Sequence, residues 1–338
     1  MKNYLAIIGL GGLLSACGSI NYLSIDTFNP AEVTFPSSVK NVLVVNHAEP
    51  QPADWGYQYS DNGQLKATAG VRADSALVDF CQAMGESIAD SRYFRDVLLY
   101  HDSLNRGRQP GEDRQLTLSQ VNALCEQTGT DLILSLDRML FDSERAMTDL
   151  GGGFRVGSVR VRVAGVVRAY LPGRATPMAT IQLKDSLVFD QAEEMLPTQE
   201  ESLRLAARYV GEKAQANFVP HWMQESRWYF SSSGSRWKEA AAYASSEHWD
   251  KAEQRWLQLY NSSRHWKQKA QAASNLALCA EMDGRLRKAL EWATISYDLF
   301  KEKSAADDGS CQLLELYVKT LTDRVKADQK LDVQIGKP

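Results

Sequence analysis

The sequence predicts an α+β N-terminal domain, a mixed sheet with helices, followed by an all-α domain of helical hairpins. Three observations carry that prediction. Short Val-rich apolar runs alternate with helical patterns over the first third of the chain. Two long segments of apolar–polar alternation follow. From Trp237 onward almost every stretch repeats at helical period. The 338 residues are 44% hydrophobic and 24% charged with a net charge of −4, a globular composition with no global case for nucleic-acid binding.

Residues 1–16 read as a leader. Lys2 supplies the positive start, and Tyr4–Leu14 form an apolar run well short of the ~20 residues that span a bilayer core. Leu14-Ser15-Ala16-Cys17 resembles the bacterial lipobox: an aliphatic residue, two small ones, then a cysteine. The resemblance implies cleavage before Cys17 and lipidation of its thiol, anchoring the chain without a membrane-spanning helix. Gly18 and Ser19 follow, with no Asp at the sorting position and no acidic export run. That resemblance implies a periplasm-facing place on the outer membrane. Residues 17–38 are then expected to be the lipidated cysteine and a tether.

The α/β domain is placed at 39–220. Asn41–Asn46, "NVLVVN", is a buried strand by its Val-rich run. Ala73–Ser91 carries Leu77, Phe80, Cys81, Met84 and Ile88 at helical spacing. Asp96–Tyr100 is a second strand. A helix entered at Thr117 or Ser119 closes at Gly129, glycine suiting the left-handed C-cap. "TDLILSL" is a third strand. In "VGSVRVRVAGVVRAYL", Val159, Val161, Val163 and Val167 take one face while Arg160, Arg162 and Arg168 take the other. "PGRATP" then supplies turn residues before a second alternating strand, "ATIQLKDSLVF", and a helix at about 198–217. This order, with "GTD" before an apolar strand and a long hairpin, resembles TolB- and CsgG-type envelope α/β domains.

Two features here could bind a ligand. The arginines of the alternating strand could form a basic stripe for an acidic glycan or headgroup; the competing reading is an ordinary solvated face. The 47–65 connection, with Trp55, Tyr57 and Tyr59, is longer than most loops in compact domains. Its aromatics suit sugar or partner binding, or else cover the sheet edge.

The helical domain is placed at 221–327, with a tail at 328–338. Seven of the eight tryptophans lie between Trp222 and Trp292. Ala240, Tyr243, Trp249, Ala252, Trp256 and Leu259 recur as a pattern in Leu276, Ala277, Leu286, Ala289 and Leu290, with Gly284 at the second turn and Glu247 at the first. This resembles the tetratricopeptide repeat, with a further helix at about Ser310–Val325. The resemblance implies a groove for a protein partner in the envelope, to which Tyr243, Trp249, Trp256, Asn275 and Trp292 are assigned.

The remaining cysteines, Cys81, Cys125, Cys279 and Cys311, fall on apparent helices with no C-x-x-C spacing. Buried thiols are expected; Cys279–Cys311 is the leading candidate for a bridge. His47, His101, His221, His248 and His265 show no metal-site spacing, and no G-x-S-x-G elbow occurs, so neither an enzyme nor a cofactor is expected. Lipobox, α/β domain and C-terminal repeats together resemble a group of Bacteroidota envelope lipoproteins. Two functions follow. One is a membrane-anchored protein-binding scaffold; the other is a glycan- or lipid-binding accessory protein using the aromatic loop and arginine hairpin.

Overall fold

The computed structural model describes residues 19–67, 70–100, 104, 109–304 and 309–336; the leader, Cys17 and His101 lie outside the described residues. The chain divides into two compact units, one from Pro30 to His221 and one that joins the residues up to Asn29 to Trp222–Pro338. The first element is itself a correction. Half of the segment expected as a tether is strand β1 (Ser19–Asn29), and it belongs to the helical unit.

The Pro30–His221 unit contains, in order, β2 (Asn41–Asn46), β3 (Tyr57–Asp61), β4 (Gln64–Lys66), α1 (Asp74–Asp90), β5 (Asp96–Leu99) and α2 (Leu118–Thr128). It continues through β6 (Leu132–Asp149), β7 (Arg155–Tyr170), β8 (Ala179–Ala192) and α3 (Gln199–Ala214). These seven strands form one mixed sheet built around the long β6. Along one edge β6 pairs first with β2, parallel, and further on with β3, also parallel. β5 extends β2 and β4 extends β3. The other edge carries the antiparallel β7 and then β8. The 47–65 connection is therefore not all loop, because its second half is the β3–β4 hairpin. In the gap between β2 and β3, Gln51 stands in for a strand. Its Oε1 accepts from Phe141 N at 2.7 Å and its Nε2 donates to Phe141 O at 3.0 Å.

α1 and α3 cover one face, packing Leu77, Phe80, Met84, Ile88, Leu203, Ala206 and Val210 against Val42, Val44, Leu134 and Val159–Val163. Each large side chain so buried contributes roughly 1.5–3 kcal/mol. A Cβ on Gly211 of α3 would lie 2.5 Å from the Phe80 carbonyl of α1, so glycine is what admits this helix contact. α2 covers part of the opposite face, over Leu43, Val45, Ile133 and Tyr170. It is capped at both ends by local chemistry: Thr117 and Gln120 form a capping box, and Gly129 adopts φ 67°. The β-bulge at Leu136/Arg138 inserts Asp137 just beyond the last rung with β2.

The second unit opens with a ribbon of β1 and β9 (His221–Ser231). Asn21 bonds Ser231 while Thr27 bonds Glu225, so the two strands run antiparallel. Five helices follow: α4 (Ser235–Ser245), α5 (Trp249–Ser262), α6 (Trp266–Met282), α7 (Leu286–Lys303) and α8 (Gly309–Gln334). The last of these runs through most of the expected tail. The internal repeat is visible in the hydrogen bonds. His248 N donates to Tyr243 O at 2.9 Å and Arg285 N to Ala280 O at 2.8 Å, the same helix-ending turn at positions 37 residues apart. Gly284 takes the left-handed conformation in one copy (φ 72°) and Glu247 in the other (φ 59°). Glu247 thus carries a strain of about 1–2 kcal/mol that glycine would avoid. Ala252 and Ala289 are buried at matching places. All four described cysteines are thiols, so the Cys279–Cys311 bridge is not formed.

Candidate functional site

Of the five residues assigned to a partner groove, Trp256 and Asn275 are fully buried. Asn275 Oδ1 accepts from Phe230 N and its Nδ2 donates to Phe230 O, both at 2.7 Å. This is the pairing one strand offers another, so β9 closes the face of α6 that carries Asn275. Tyr229 packs on Trp256 with ring centroids 5.8 Å apart. One and a half turns further along α6, Glu281 is also fully buried. It accepts from Arg227 Nε at 3.0 Å and Nη2 at 2.8 Å, from the Tyr317 hydroxyl at 2.7 Å, and from Arg324. Arg227 reaches Glu225 too, which in turn accepts from Thr27 of β1. Two guanidinium groups thus meet two carboxylates, the balance that makes burial tolerable. Burial works to discharge Arg227, but Glu281 and Glu225 more than offset it and hold its pKa above the usual range. Burial, then Glu281, pushes the Tyr317 phenol far up.

Tyr243, Trp249 and Trp292 are the half-buried members of the groove set. Lys251 lies over the Tyr243 ring and Lys288 over Trp292, while Trp292 meets Tyr260 edge-on at 5.0 Å. They brace neighbouring helices and do not converge with Asn275 on an open surface.

The sequence reading missed a second buried network, at the C-terminal end of β2. Asp137, with no exposure, accepts from Ser135 Oγ at 2.6 Å, Tyr170 OH at 2.7 Å and Arg168 Nη1 at 2.8 Å, and His47 Nδ1 lies 3.1 Å away. Asp113 closes the network from outside with two bonds to Arg168, at 2.6 and 3.0 Å. Burial opposes charge on Arg168, yet Asp113 and Asp137 outweigh it and raise the pKa. Arg168 is therefore not part of an exposed basic stripe. The Ser135 hydroxyl donates to the Asp137 carboxylate and not to the His47 imidazole, so the network staples the strands without a nucleophile–base contact. Polar Ser135 and Asp137 inside an otherwise apolar strand were the signal available in the sequence.

Arg160 and Arg162 do face outward, but each is paired. Arg162 bonds Asp142 and, at 3.0 Å, Glu144, and Arg160 reaches Glu144 at 3.4 Å. Register sets the pattern: Asp142, Arg162 and Ser186 form one cross-strand row, Leu140, Ala164 and Lys184 the next. A concavity of about 710 Å³ lies over these rows. Trp55 stands beside it, half exposed. The Trp55 ring and Leu140 Cδ2 each come within 3.7 Å of where a Gly111 Cβ would be, so the two are at most twice that distance apart. Tyr57 and Tyr59 do not join this surface. Tyr57 is buried, its phenol pushed up to about 12 by burial despite the Gln51 hydrogen bond, and Tyr59 packs on the core. Among the described residues, no group of three or more His, Cys, Asp or Glu side chains could hold a metal, and no helix is long and apolar enough to cross a membrane.

Two family models match the chain: one described as a domain of unknown function (DUF8603) over residues 39–230, and another, DUF6340, also a domain of unknown function, over 238–323. No curated protein matches. A solved structure of a neuraminyllactose-binding hemagglutinin homolog from Helicobacter pylori is similar at 10% identity and a TM-score of 0.26, covering 53% of this chain and 83% of that one. So low a TM-score bears on neither fold nor function.

Proposed function

The chain belongs to the DUF8603 family, and from that premise, which brings no activity with it, we propose a lipid-anchored envelope lipoprotein whose α/β unit presents a carbohydrate-binding face. The observation that carries the reading is the half-exposed, mutually paired Arg162 and Asp142 lining the 710 Å³ concavity, with the Arg160–Glu144 pair two residues along the strands and Trp55 at its side. Exposed ion pairs contribute only about 0–1 kcal/mol to stability, so the fold has little need of them. A sugar has both uses for them. Its hydroxyls donate to carboxylates and accept from guanidinium groups, and its C–H face lies against an indole. Ligand sites commonly combine an apolar concavity with a few placed polar groups.

The leading expectation from the sequence, a protein-binding scaffold with its groove on the helical repeats, has less support because two of its five groove residues, Asn275 and Trp256, are committed to β9. The lipobox supports the anchor at Cys17 and a periplasm-facing place on the outer membrane. The test is retention of the mature chain on immobilised envelope polysaccharide. Trp55→Ala and Arg162→Gln should each weaken retention about tenfold, one lost hydrogen bond or ring contact being worth about 1.4 kcal/mol, while Trp249→Ala should not. Retention that both variants leave unchanged sinks the reading. For the anchor, mass spectrometry of the N-terminal peptide should find it beginning at an acylated Cys17.

A further inference from the structure

The ribbon begins two residues after Cys17, a reach of at most about 7 Å of chain. With the acylated Cys17 of the reading above, on which this inference rests, no tether lifts the helical unit from the bilayer. The Ser19 end of the ribbon sits at the membrane, and packing decides what shares that end. Asn21 bonds Ser231, and only residues 232–234 separate Ser231 from α4. Helices α4 to α8 pack as successive neighbours through short connections, so they alternate in direction. The starts of α4 and α6 therefore lie with the end of α7. Phe230 stacks on Phe300 at 6.3 Å and Trp266 meets Phe300 at 5.5 Å, tying the same end of β9 to both.

That end is basic. Arg236 and Lys238 are exposed in the first turn of α4, Arg264 is exposed just before α6, and Lys267 is half-buried in its first turn. Among the described residues there, Glu239 pairs with Arg255 at 2.9 Å and Glu302 with Lys303, while Asp307 and Asp308 lie outside the described residues. Asp298, a turn inside α7, is matched in charge by Lys301. We propose that Arg236, Lys238, Arg264 and Lys267 form a second membrane contact, an interaction surface for the phosphate headgroups of an anionic bilayer. Basic side chains act on such a surface only within a Debye length, about 8 Å at physiological salt, so proximity to the anchor is what makes these four effective. Each strengthens the contact about fivefold. Tyr22, two-thirds exposed on β1 near the same end, has the amphipathic character favoured at a headgroup layer.

The test reconstitutes the mature chain into phosphatidylcholine vesicles with or without about 30% phosphatidylglycerol, and reads amine-labelling rates by peptide mass spectrometry. Lys238 and Lys267 should label at least about fivefold more slowly on the anionic vesicles, and recover in about 0.5 M salt. Lys288 and Lys326, at the opposite end, should not change. Equal rates on the two vesicles, or equal slowing at Lys288 and Lys326, overturn the proposal. The N-terminal peptide separates the two ideas. Acylated Cys17 with unslowed Lys238 overturns the surface and leaves the anchor standing. An unacylated chain that still shows charge-dependent slowing overturns the anchor and upholds the surface.

Discussion

Replacing Asn275 by Ala should destabilise the helical unit severely. The substitution removes both partners of the buried Phe230 backbone, whose N–H and C=O each lie 2.7 Å from the side-chain amide. A buried backbone group left unpaired costs about 1–3 kcal/mol, so the pair costs roughly 2–6 kcal/mol before any cavity is counted. With a urea m-value of about 2 kcal/mol per M, the middle of that range lowers the unfolding midpoint by about 2 M. Tryptophan fluorescence is the natural assay, because seven of the eight indoles lie between residues 222 and 292. Asn275→Asp retains an acceptor for Phe230 N–H but turns a charge toward Phe230 C=O, and should fall nearly as far. A groove residue waiting for a partner would behave differently: its replacement would change stability by no more than about 0.5 kcal/mol. A midpoint drop below about 0.3 M would refute the clamp.

Two further outcomes follow from the same geometry. Hydrogen bonding to Arg168, helped by the nearby charge and opposed by partial burial, holds the Asp113 carboxyl below its usual range. A depressed carboxylate stabilises the fold above its unfolded pKa of about 3.9, and that contribution disappears as pH falls through the folded value. Asp113→Asn should therefore flatten the acid limb of the stability profile below about pH 4, and an unchanged limb would count against the Arg168 contact. The second concerns thiols. Denatured without reductant, the chain should expose Cys81, Cys125, Cys279 and Cys311 to a maleimide, and two missing thiols would restore the bridge. In the native state half-buried Cys311 should react ahead of Cys279, whose thiol pKa is pushed up by burial.

Much of the fold was legible locally. "NVLVVN" is β2 to the residue, Gly129 closes α2 as expected, and of the two N-caps the sequence offered, Thr117 is the one used. The long alternation from Arg155 marks β7 because one face is dry and the other wet. What escaped was pairing across distance. Nothing in "SINYLSIDTFN" names a partner some 210 residues away, so β1 looked like a tether. The 47–65 stretch looked like a loop because its pairing groups belong to β6. The arginines were correctly placed on one strand, but alternation cannot tell Arg162, facing open solvent, from Arg168, sealed behind Asp113 and Asp137.

The sequence by itself determined the two-part architecture, the helix ends and the internal repeat, since each is written in neighbouring residues through period or capping geometry. Only the tertiary structure decided which polar residues are inside. Asn275, Glu281 and Asp137 are ordinary polar letters in the chain; folding desolvates them, and a desolvated amide or carboxylate must find partners. Those partners come from β9, α8 and β7, elements whose approach no local pattern specifies. The same long-range packing brought β1 onto the helical unit.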